Sequence, residues 1–467
     1  MQIGNYLSQI YDVSSVLLIV SSNEWMELVA YLSEAKSVER IYYINSEENL
    51  DEFDCVEKCT IETVIEQGLK VDLLLFDRNS KKTVQLLQAV KPRYLVGRMA
   101  REEEYFDLWE QYREISDYIY IEREKEISPT ENRSDANECE ILDWVKGQSP
   151  VELSVILPVY NVADYLSKCI ETLTSWKATY VEFIFVNDGS TDKSTEVIKR
   201  YMRQDSRIRL LNKENGGCAS ARNRGIEEAQ GKYLGFVDPD DFIDESMFYK
   251  LFRRIILGNF DFAYCGYLEF YEQTGESREV RNDCLKEPYL TGTYRPDKVQ
   301  KLTINTRIAI WRGIYKKEVL DYYHIRFHED LRRFDDLPFR VEFLFHAQSA
   351  VCVPEYLYYY RLGREGQDVA CSDDGFFVHF EIFKHLDDFV DQMKDSRMMD
   401  LLQVVKIHTH GFALSRIKDK KKRQDYLCLA RKQMDRNMGY FRTICLIMLY
   451  TGKNHLGWYT KMKLHLQ

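Results

Sequence analysis

The sequence predicts an α/β protein with two domains built on mostly parallel sheets and a mainly helical C-terminal region. Three observations carry this. Through the first 125 residues, short β-rich runs alternate with segments whose apolar residues have helical spacing. From Val151 to Asp241 a second series of such runs stops, each time, at a polar cluster. After about residue 371 basic stretches alternate with apolar ones and strand-like runs disappear. A chain of 467 residues also exceeds one domain of the usual size of about 100–200 residues.

In the first series the predicted strands are Ser15–Val20, Ile41–Asn45, Val71–Phe76, Tyr94–Gly97 and Tyr118–Ile121. The helices between them are Trp25–Ala35, Ile61–Gln67, Lys82–Ala89 and Glu103–Tyr112. Strict alternation means a parallel sheet with helices on both faces, so residues 1–125 read as a small Rossmann-type or flavodoxin-like domain. The turn after its first strand is SSNEW, without the G-x-G-x-x-G that lets backbone approach a pyrophosphate. A docking or scaffolding module fits better than a dinucleotide site. Residues 126–150 are polar and Asn-rich and read as a linker, with an ILDWV patch to pin it to a neighbour.

In the second series the runs at Val155–Leu157, Phe183–Val186 and Tyr233–Val237 suit strands buried on both faces. They end at Pro158 and Asn161, at Asn187, Asp188 and Gly189, and at Asp238. These polar residues therefore fall at the carboxyl ends of strands, where open α/β sheets bind ligands. Asn161 is placed to cap a helix with Leu166, Cys169, Ile170 and Leu173 inward, and Ser190 or Thr191 to cap the next. Gly216 and Gly217 precede a helix over Ala219–Ala229, and Phe242–Ile256 reads as an amphipathic helix. Beyond Phe260 come strands rich in Tyr and Phe, interrupted by a polar excursion at Gly275–Asp297.

The formal net charge of −11 argues against general nucleic-acid binding. Residues 1–150 carry 16 Lys and Arg against 30 Asp and Glu, whereas residues 401–467 carry 14 against 3. Eleven cysteines without a repeating spacing fit a reducing compartment. Neither a signal peptide nor an apolar run of about 20 residues is evident, so the expected location is cytoplasmic. The basic tail, with Lys418–Arg423, Ile444–Tyr450, Trp458 and Tyr459, adds a peripheral contact at the inner face of the membrane to that expectation.

Four motifs stand in order: PVYN at Pro158–Asn161, VNDGSTD at Val186–Asp192, ENGG-x-x-x-ARN at Glu214–Asn223 and D-x-D-D at Asp238–Asp241. Further on are Trp311 with Tyr315-Lys316-Lys317, FDDLPF at Phe334–Phe339, and Tyr358-Tyr359-Tyr360-Arg361. In this order the motifs resemble the family 2 glycosyltransferases, from roughly Val151 to Gly366. The resemblance implies a GT-A nucleotide-sugar-binding domain over 151–370, followed by the helical region at 371–467. It implies an inverting enzyme that moves a hexosyl or N-acetylhexosaminyl group from a nucleotide sugar, a UDP-sugar foremost, with Mg²⁺ or Mn²⁺. The acceptor hydroxyl would belong to a surface polysaccharide, a teichoic acid or a glycoprotein glycan, so the acceptor is a glycan, lipid-linked or a protein.

Residue by residue, the resemblance puts Asp238 on the ribose or metal and Asp240 on the metal, with hard carboxylate donors suited to such ions. Asp188 would accept from the base, framed by Pro158, Val159 and Tyr160. Arg222 would lie near the nucleotide, Asn215 and Gly216 would let backbone approach, and Trp311 would belong to the donor site. Asp336 is the candidate base. Glu329-Asp330 is a second acidic pair six residues earlier, and Phe339 favours the later one. The LGREGQ that follows Tyr358–Arg361 lacks the usual His or Ser, which leaves Arg361 or Arg364 to neutralise phosphate, or the loop to act as a lid. Two other readings are a non-catalytic nucleotide-sugar-binding or assembly protein, and a nucleotidyltransferase. The first would not need every acid, and the second would need a Gly-rich basic signature after the first strand.

Overall fold

The computed structural model describes residues 15–19, 39–44, 56–76, 90, 92, 94–99, 118–123 and 140–145 of the first 150. It then describes 151–257, 259–280, 296–307, 309–363 and 372–434. The chain divides into two compact units, residues 1–148 with 256–259, and residues 149–255 with 260–467.

The first unit carries strands β1 (Ser15–Ile19), β2 (Arg40–Ile44), β3 (Val56–Lys58), β4 (Leu73–Phe76), β5 (Tyr94–Met99), β6 (Tyr118–Arg123) and β7 (Glu140–Val145), with helix α1 at Ile61–Glu66. Their order is β3-β2-β1-β4-β5-β6-β7. The first six are parallel, and β7 returns antiparallel to β6. The six-strand order is that of a Rossmann sheet. Val16, Leu17, Leu18, Leu73 and Leu74 are buried in it, as expected of strands covered on both faces. Two strands differ from the sequence reading. β3 is three residues long, too short to show periodicity. β7 comes from the segment read as a linker, where EILDWV has enough β-formers to cover the open edge of β6. The expected helices at Trp25–Ala35, Lys82–Ala89 and Glu103–Tyr112 lie outside the described residues.

The second unit is built on β8 (Leu153–Val159), β9 (Val181–Asp188), β10 (Ile208–Lys213), β11 (Tyr233–Phe236), β12 (Phe242–Ile243), β13 (Phe262–Tyr271), β14 (Glu276–Glu279), β15 (Gly313–Lys316) and β16 (Ala350–Leu362). The order is β10-β9-β8-β11-β15-β13-β16-β12, with β14 on β13. β10, β9, β8 and β11 run parallel, while β15 and β12 run antiparallel to their neighbours. Every residue of β8 and β9 is buried. The chain leaves β8 to one side for β9 and β10, then crosses to the other side for β11. That reversal opens a crevice at the carboxyl ends of β8 and β11.

Helices α2 (Ala163–Thr174), α3 (Ser194–Met202) and α4 (Cys218–Glu228) cover this sheet. Their caps differ from the expected ones. Asn161 adopts φ +51°, and its Oδ1 receives the Thr191 and Asp192 amides. The Asp192 carboxylate takes the first amides of both helices, Ala163 N at 2.9 Å and Ser194 N at 2.9 Å. One side chain thus caps two helices, satisfying orphan amides at each N-terminus. The expected helix over Phe242–Ile256 is also divided. Phe242 and Ile243 pair with β16, Asp244 then accepts from Ser246 N, and helix α5 runs only over Met247–Leu257.

Helix α6 (Asp336–His346) precedes β16, and α7 (Val378–Met393), α8 (Ser396–Arg416) and α9 (Lys420–Met434) follow it. Val341 and Phe345 of α6 share one buried cluster with Ile382, Phe383, Leu386, Leu401 and Val405 of α7 and α8. The basic run Lys418–Arg423 opens α9, where Lys422 pairs with Asp374. Arg364, Ile444–Tyr450, Trp458 and Tyr459 lie outside the described residues. Among the described residues, no helix is long and apolar enough to cross a membrane.

Gly225 of α4 lies against Ile156 of β8, and a Cβ there would meet Ile156 Cγ2 at 2.3 Å. Gly225→Ala is therefore expected to lower stability by about 1–3 kcal/mol, although Ala in a helix interior normally gains up to about 1 kcal/mol over Gly. Denaturant unfolding checks the sign.

Candidate active site

The crevice is lined by three strand ends. At the end of β9, Asp188 is buried and its carboxylate accepts from Lys213 Nζ at 2.7 Å, Gly216 N at 2.9 Å and Gly217 N at 2.8 Å. Asn215 Nδ2 donates to the Asp188 carbonyl. Asp188 thus fixes the Asn215–Gly217 loop. Gly217 has φ +91°, in the left-handed region that favours glycine. Lys213, which no motif in the sequence marks, stands opposite Asp188 in the parallel pairing of β10 and β9.

Past β11 the D-x-D-D turn closes with Asp241 N donating to the Asp238 carbonyl at 3.0 Å. The fully buried Asp241 accepts from Tyr358 Oη and from Arg361 N, both at 2.7 Å. The same Tyr358 hydroxyl receives Asp238 N at 3.2 Å. One phenol therefore joins the first and last acids of the turn to β16. Trp311 stacks on Tyr358, with ring centroids 4.1 Å apart, and on Tyr360. Burial, reinforced by Asp240 and Asp238, holds the Asp241 carboxyl well above its ordinary range.

Arg222 of α4 gathers the remaining acids. It is buried, with Nη2 on Asp238 Oδ1 at 2.9 Å and Nη1 on Asp335 Oδ2 at 2.8 Å and Asp336 Oδ1 at 2.9 Å. Asp335 and Asp336 reach it because α6 starts there, after a left-handed residue, Phe334 at φ +56°. Phe339, one turn on, stacks on Phe327 at 4.0 Å and meets Phe236 edge-on, which anchors that turn in the core. Neighbouring Asn223 binds both the amide and the carbonyl of Phe327, and reaches Glu329. Asn223 stands in the ARN motif, where the sequence reading assigned it no role.

Burial pushes the Asp336 carboxyl up to about 7, with Arg222 pulling it down and Asp335 and Asp238 adding to the rise. Burial likewise raises Asp238, against Arg222. Three acids close together in a desolvated turn leave negative charge that a cation would relieve. Carboxylate oxygens suit Mg²⁺ or Mn²⁺, so the donor set at Asp238 and Asp240 fits such an ion.

Other expected residues fall as follows. Pro158 and Val159 are buried in β8, while Tyr160 is 51% exposed just beyond it. Asp330 bonds His385 at 2.7 Å, whereas Asp335 and Asp336 are the pair on Arg222. Arg361 does not reach out as a phosphate ligand. Its Nε donates to the Asp240 carbonyl at 2.6 Å, Nη1 pairs with Glu272, and Tyr165, Phe242 and Phe270 surround its guanidinium.

The profile of glycosyl transferase family 2 matches residues 154–322. The uncharacterized glycosyltransferase EpsJ of Bacillus subtilis is 35% identical over 217 residues, which is 45% of this chain and 60% of EpsJ. The uncharacterized glycosyltransferase YibD of Escherichia coli is 36% identical over 215 residues, 45% of this chain and 61% of YibD. Glycosyltransferase GlyG of Streptococcus pneumoniae is 32% identical over 225 residues, 45% of this chain and 70% of GlyG. The chain belongs to glycosyl transferase family 2. It spans about 60% of the length of the first two relatives. In this family 2 member the matched segment begins in β8 and ends before α6, so it includes the D-x-D-D turn and Arg222 but not Asp335 and Asp336.

Tyr358→Phe removes the hydroxyl that Asp241 and the Asp238 amide both use. The expected cost is about 1–3 kcal/mol of stability, because buried polar partners are left unmatched. Thermal and denaturant unfolding of the variant measure it.

Proposed function

We propose that this chain is an inverting glycosyltransferase that moves a hexosyl or N-acetylhexosaminyl group from a nucleotide sugar, a UDP-sugar foremost, to an acceptor hydroxyl. The observation that carries this reading is the single guanidinium of Arg222 joining Asp238 of the D-x-D-D turn to Asp335 and Asp336. It brings the acids suited to the donor's diphosphate side and those suited to the acceptor within reach of one another.

On this reading Asp188 accepts from the nucleotide base through Oδ2, which meets the Gly217 amide, and the exposed ring of Tyr160 flanks the base. Asp238 and Asp240 would hold a divalent ion, which would supply positive charge to offset that of the leaving diphosphate. Asp336 takes the proton of the acceptor hydroxyl. The acceptor oxygen forms its bond to the anomeric carbon from the side opposite the leaving group, and the bond from that carbon to the diphosphate oxygen breaks. The configuration inverts, and the nucleoside diphosphate departs with the electron pair. A carboxyl near 7 is suited to this work, since a general base is most effective with a pKa near the working pH. Arg222 keeps Asp335 and Asp336, at the start of α6, in register with Asp238 through each turnover. Surface polysaccharide, teichoic acid and glycoprotein glycan are the acceptor classes consistent with this reading.

Asp336→Asn is expected to keep donor binding and to lose about 10²–10⁴ in transfer rate, whereas Asp330→Asn leaves the rate within a few-fold. Because the base must be ionised, kcat/KM should fall as pH drops through about 7. Asp240→Ala should abolish the portion of turnover that EDTA removes. Release of nucleoside diphosphate, followed with and without acceptor across a panel of donors, reads all three. Full activity of Asp336→Asn alongside an inactive Asp330→Asn would move the base to the earlier pair.

The basic C-terminal region offers this enzyme a route to a lipid-linked acceptor. Each Lys or Arg near an anionic membrane contributes about 1 kcal/mol. The full chain should sediment with anionic vesicles at low salt and release at high salt. A chain that never sediments would remove this contact from the reading.

A further inference from the structure

Outside the crevice, one group of side chains has the chemistry of a metal site with a different preference. His328 and Asp330 lie on the loop before α6, and His385 lies on α7. One ligand atom from each falls within 4.8 Å of the other two. His385 Nε2 meets Asp330 Oδ2 at 2.7 Å, and the two imidazole rings are tilted with centroids 4.4 Å apart. Glu342, on α6 and largely buried, meets His328 Nε2 at 2.7 Å and fixes that ring.

We propose that His328, Asp330 and His385 bind a transition-metal ion of the Zn²⁺ class, with Glu342 orienting His328. Two imidazoles and one carboxylate are borderline donors that suit Zn²⁺, whereas Mg²⁺ and Mn²⁺ take oxygen donors such as those of the D-x-D-D turn. A carboxylate behind a ligating histidine is the usual outer support of such a site. Bonds of about 2.0–2.2 Å place tetrahedral donors about 3.3–3.6 Å apart. An ion entering the group would therefore replace the 2.7 Å contact between His385 and Asp330, spreading those two atoms slightly and drawing in any pair still up to 4.8 Å apart, and the Asp330 side chain, 62% exposed, has room to make that adjustment. Three protein ligands leave a fourth position for water.

The position of the site gives the ion a structural consequence. The loop residues Phe327 and Glu329, on either side of His328, are both bound by Asn223, next to Arg222. Metal binding would tie that loop to α6 through Glu342 and to α7 through His385. It would cross-link the approach to Asp335 and Asp336 to the C-terminal helices. The acidic pair Glu329-Asp330 that competes in the sequence with Asp335-Asp336 then has a role of its own.

The test uses the full untagged chain, stripped with a chelator, returned to excess Mg²⁺ so that the oxygen site is occupied, and titrated with Zn²⁺ against a chromogenic chelator. One Zn²⁺ per chain is expected, with His328→Ala and His385→Ala each weakening it by more than about 10-fold and Glu342→Gln by about 10- to 100-fold. Asp330→Asn, at an exposed loop position, tests the site with least risk to folding, and unfolding in chelator confirms that each variant folds. Co²⁺ in place of Zn²⁺ should give visible bands of a low-coordinate nitrogen and oxygen site, lost in the double histidine variant. A chain that retains no Zn²⁺ overturns the proposal. So does a double variant that folds and binds Zn²⁺ as tightly as the original chain.

Discussion

The buried guanidinium of Arg222 is the constraint on which the second unit's site depends. Its planar fork serves Asp238 through one nitrogen and Asp335 and Asp336 through the other. Lysine has no such fork, and its point charge could not hold acids from two directions in fixed geometry. A buried ion pair is seldom a net source of stability, because desolvating charge is costly. Its value here is positional. Three carboxylates from two separate parts of the chain would repel one another in a dry crevice, and Arg222 makes their approach possible. That balance leaves Asp336 with a carboxyl near 7 rather than one fully ionised at neutral pH.

Aromatic packing fixes where those acids begin. Phe236 follows the sheet to the D-x-D-D turn, and its ring meets Tyr315, Phe327 and Phe339 edge-on. Phe339 places the first turn of α6, and Tyr358 with Trp311 places the turn after β11. Aromatic pairs prefer defined edge-to-face and offset-stacked arrangements, so these contacts fix the backbone that carries them. The crevice chemistry thus stands on a rigid apolar layer immediately beneath it.

Much of this was legible in the sequence, for identifiable reasons. Strands buried on both faces read as unbroken apolar runs, so β8, β9 and β11 and their polar ends were visible. The acids at Asp188, Asp238, Asp240 and Asp336 stood in motifs of fixed spacing. What the sequence hid was pairing at a distance. Nothing local says that Asp192 caps two helices, that Tyr358 bridges Asp238 and Asp241, or that Arg361 is enclosed by rings and Glu272. Lys213 on Asp188 was recoverable only from strand register, which a single sequence does not specify. Phe242 and Ile243 satisfy a helical period as well as a strand, which hides the break before Met247. β7 was hidden in a polar, Asn-rich context that reads as linker around a short apolar patch.

The cluster shared by α6, α7 and α8 bears on how members of this family can be recombined. Val341 and Phe345 belong to the same helix as Asp336 and pack with residues beyond 371. A chimera that joined a foreign C-terminal region after β16 would cut through one continuous core rather than between two. The helix that bears Asp336 and the helices that follow β16 are therefore one packing unit, and a change in the core of one must be accommodated by the other.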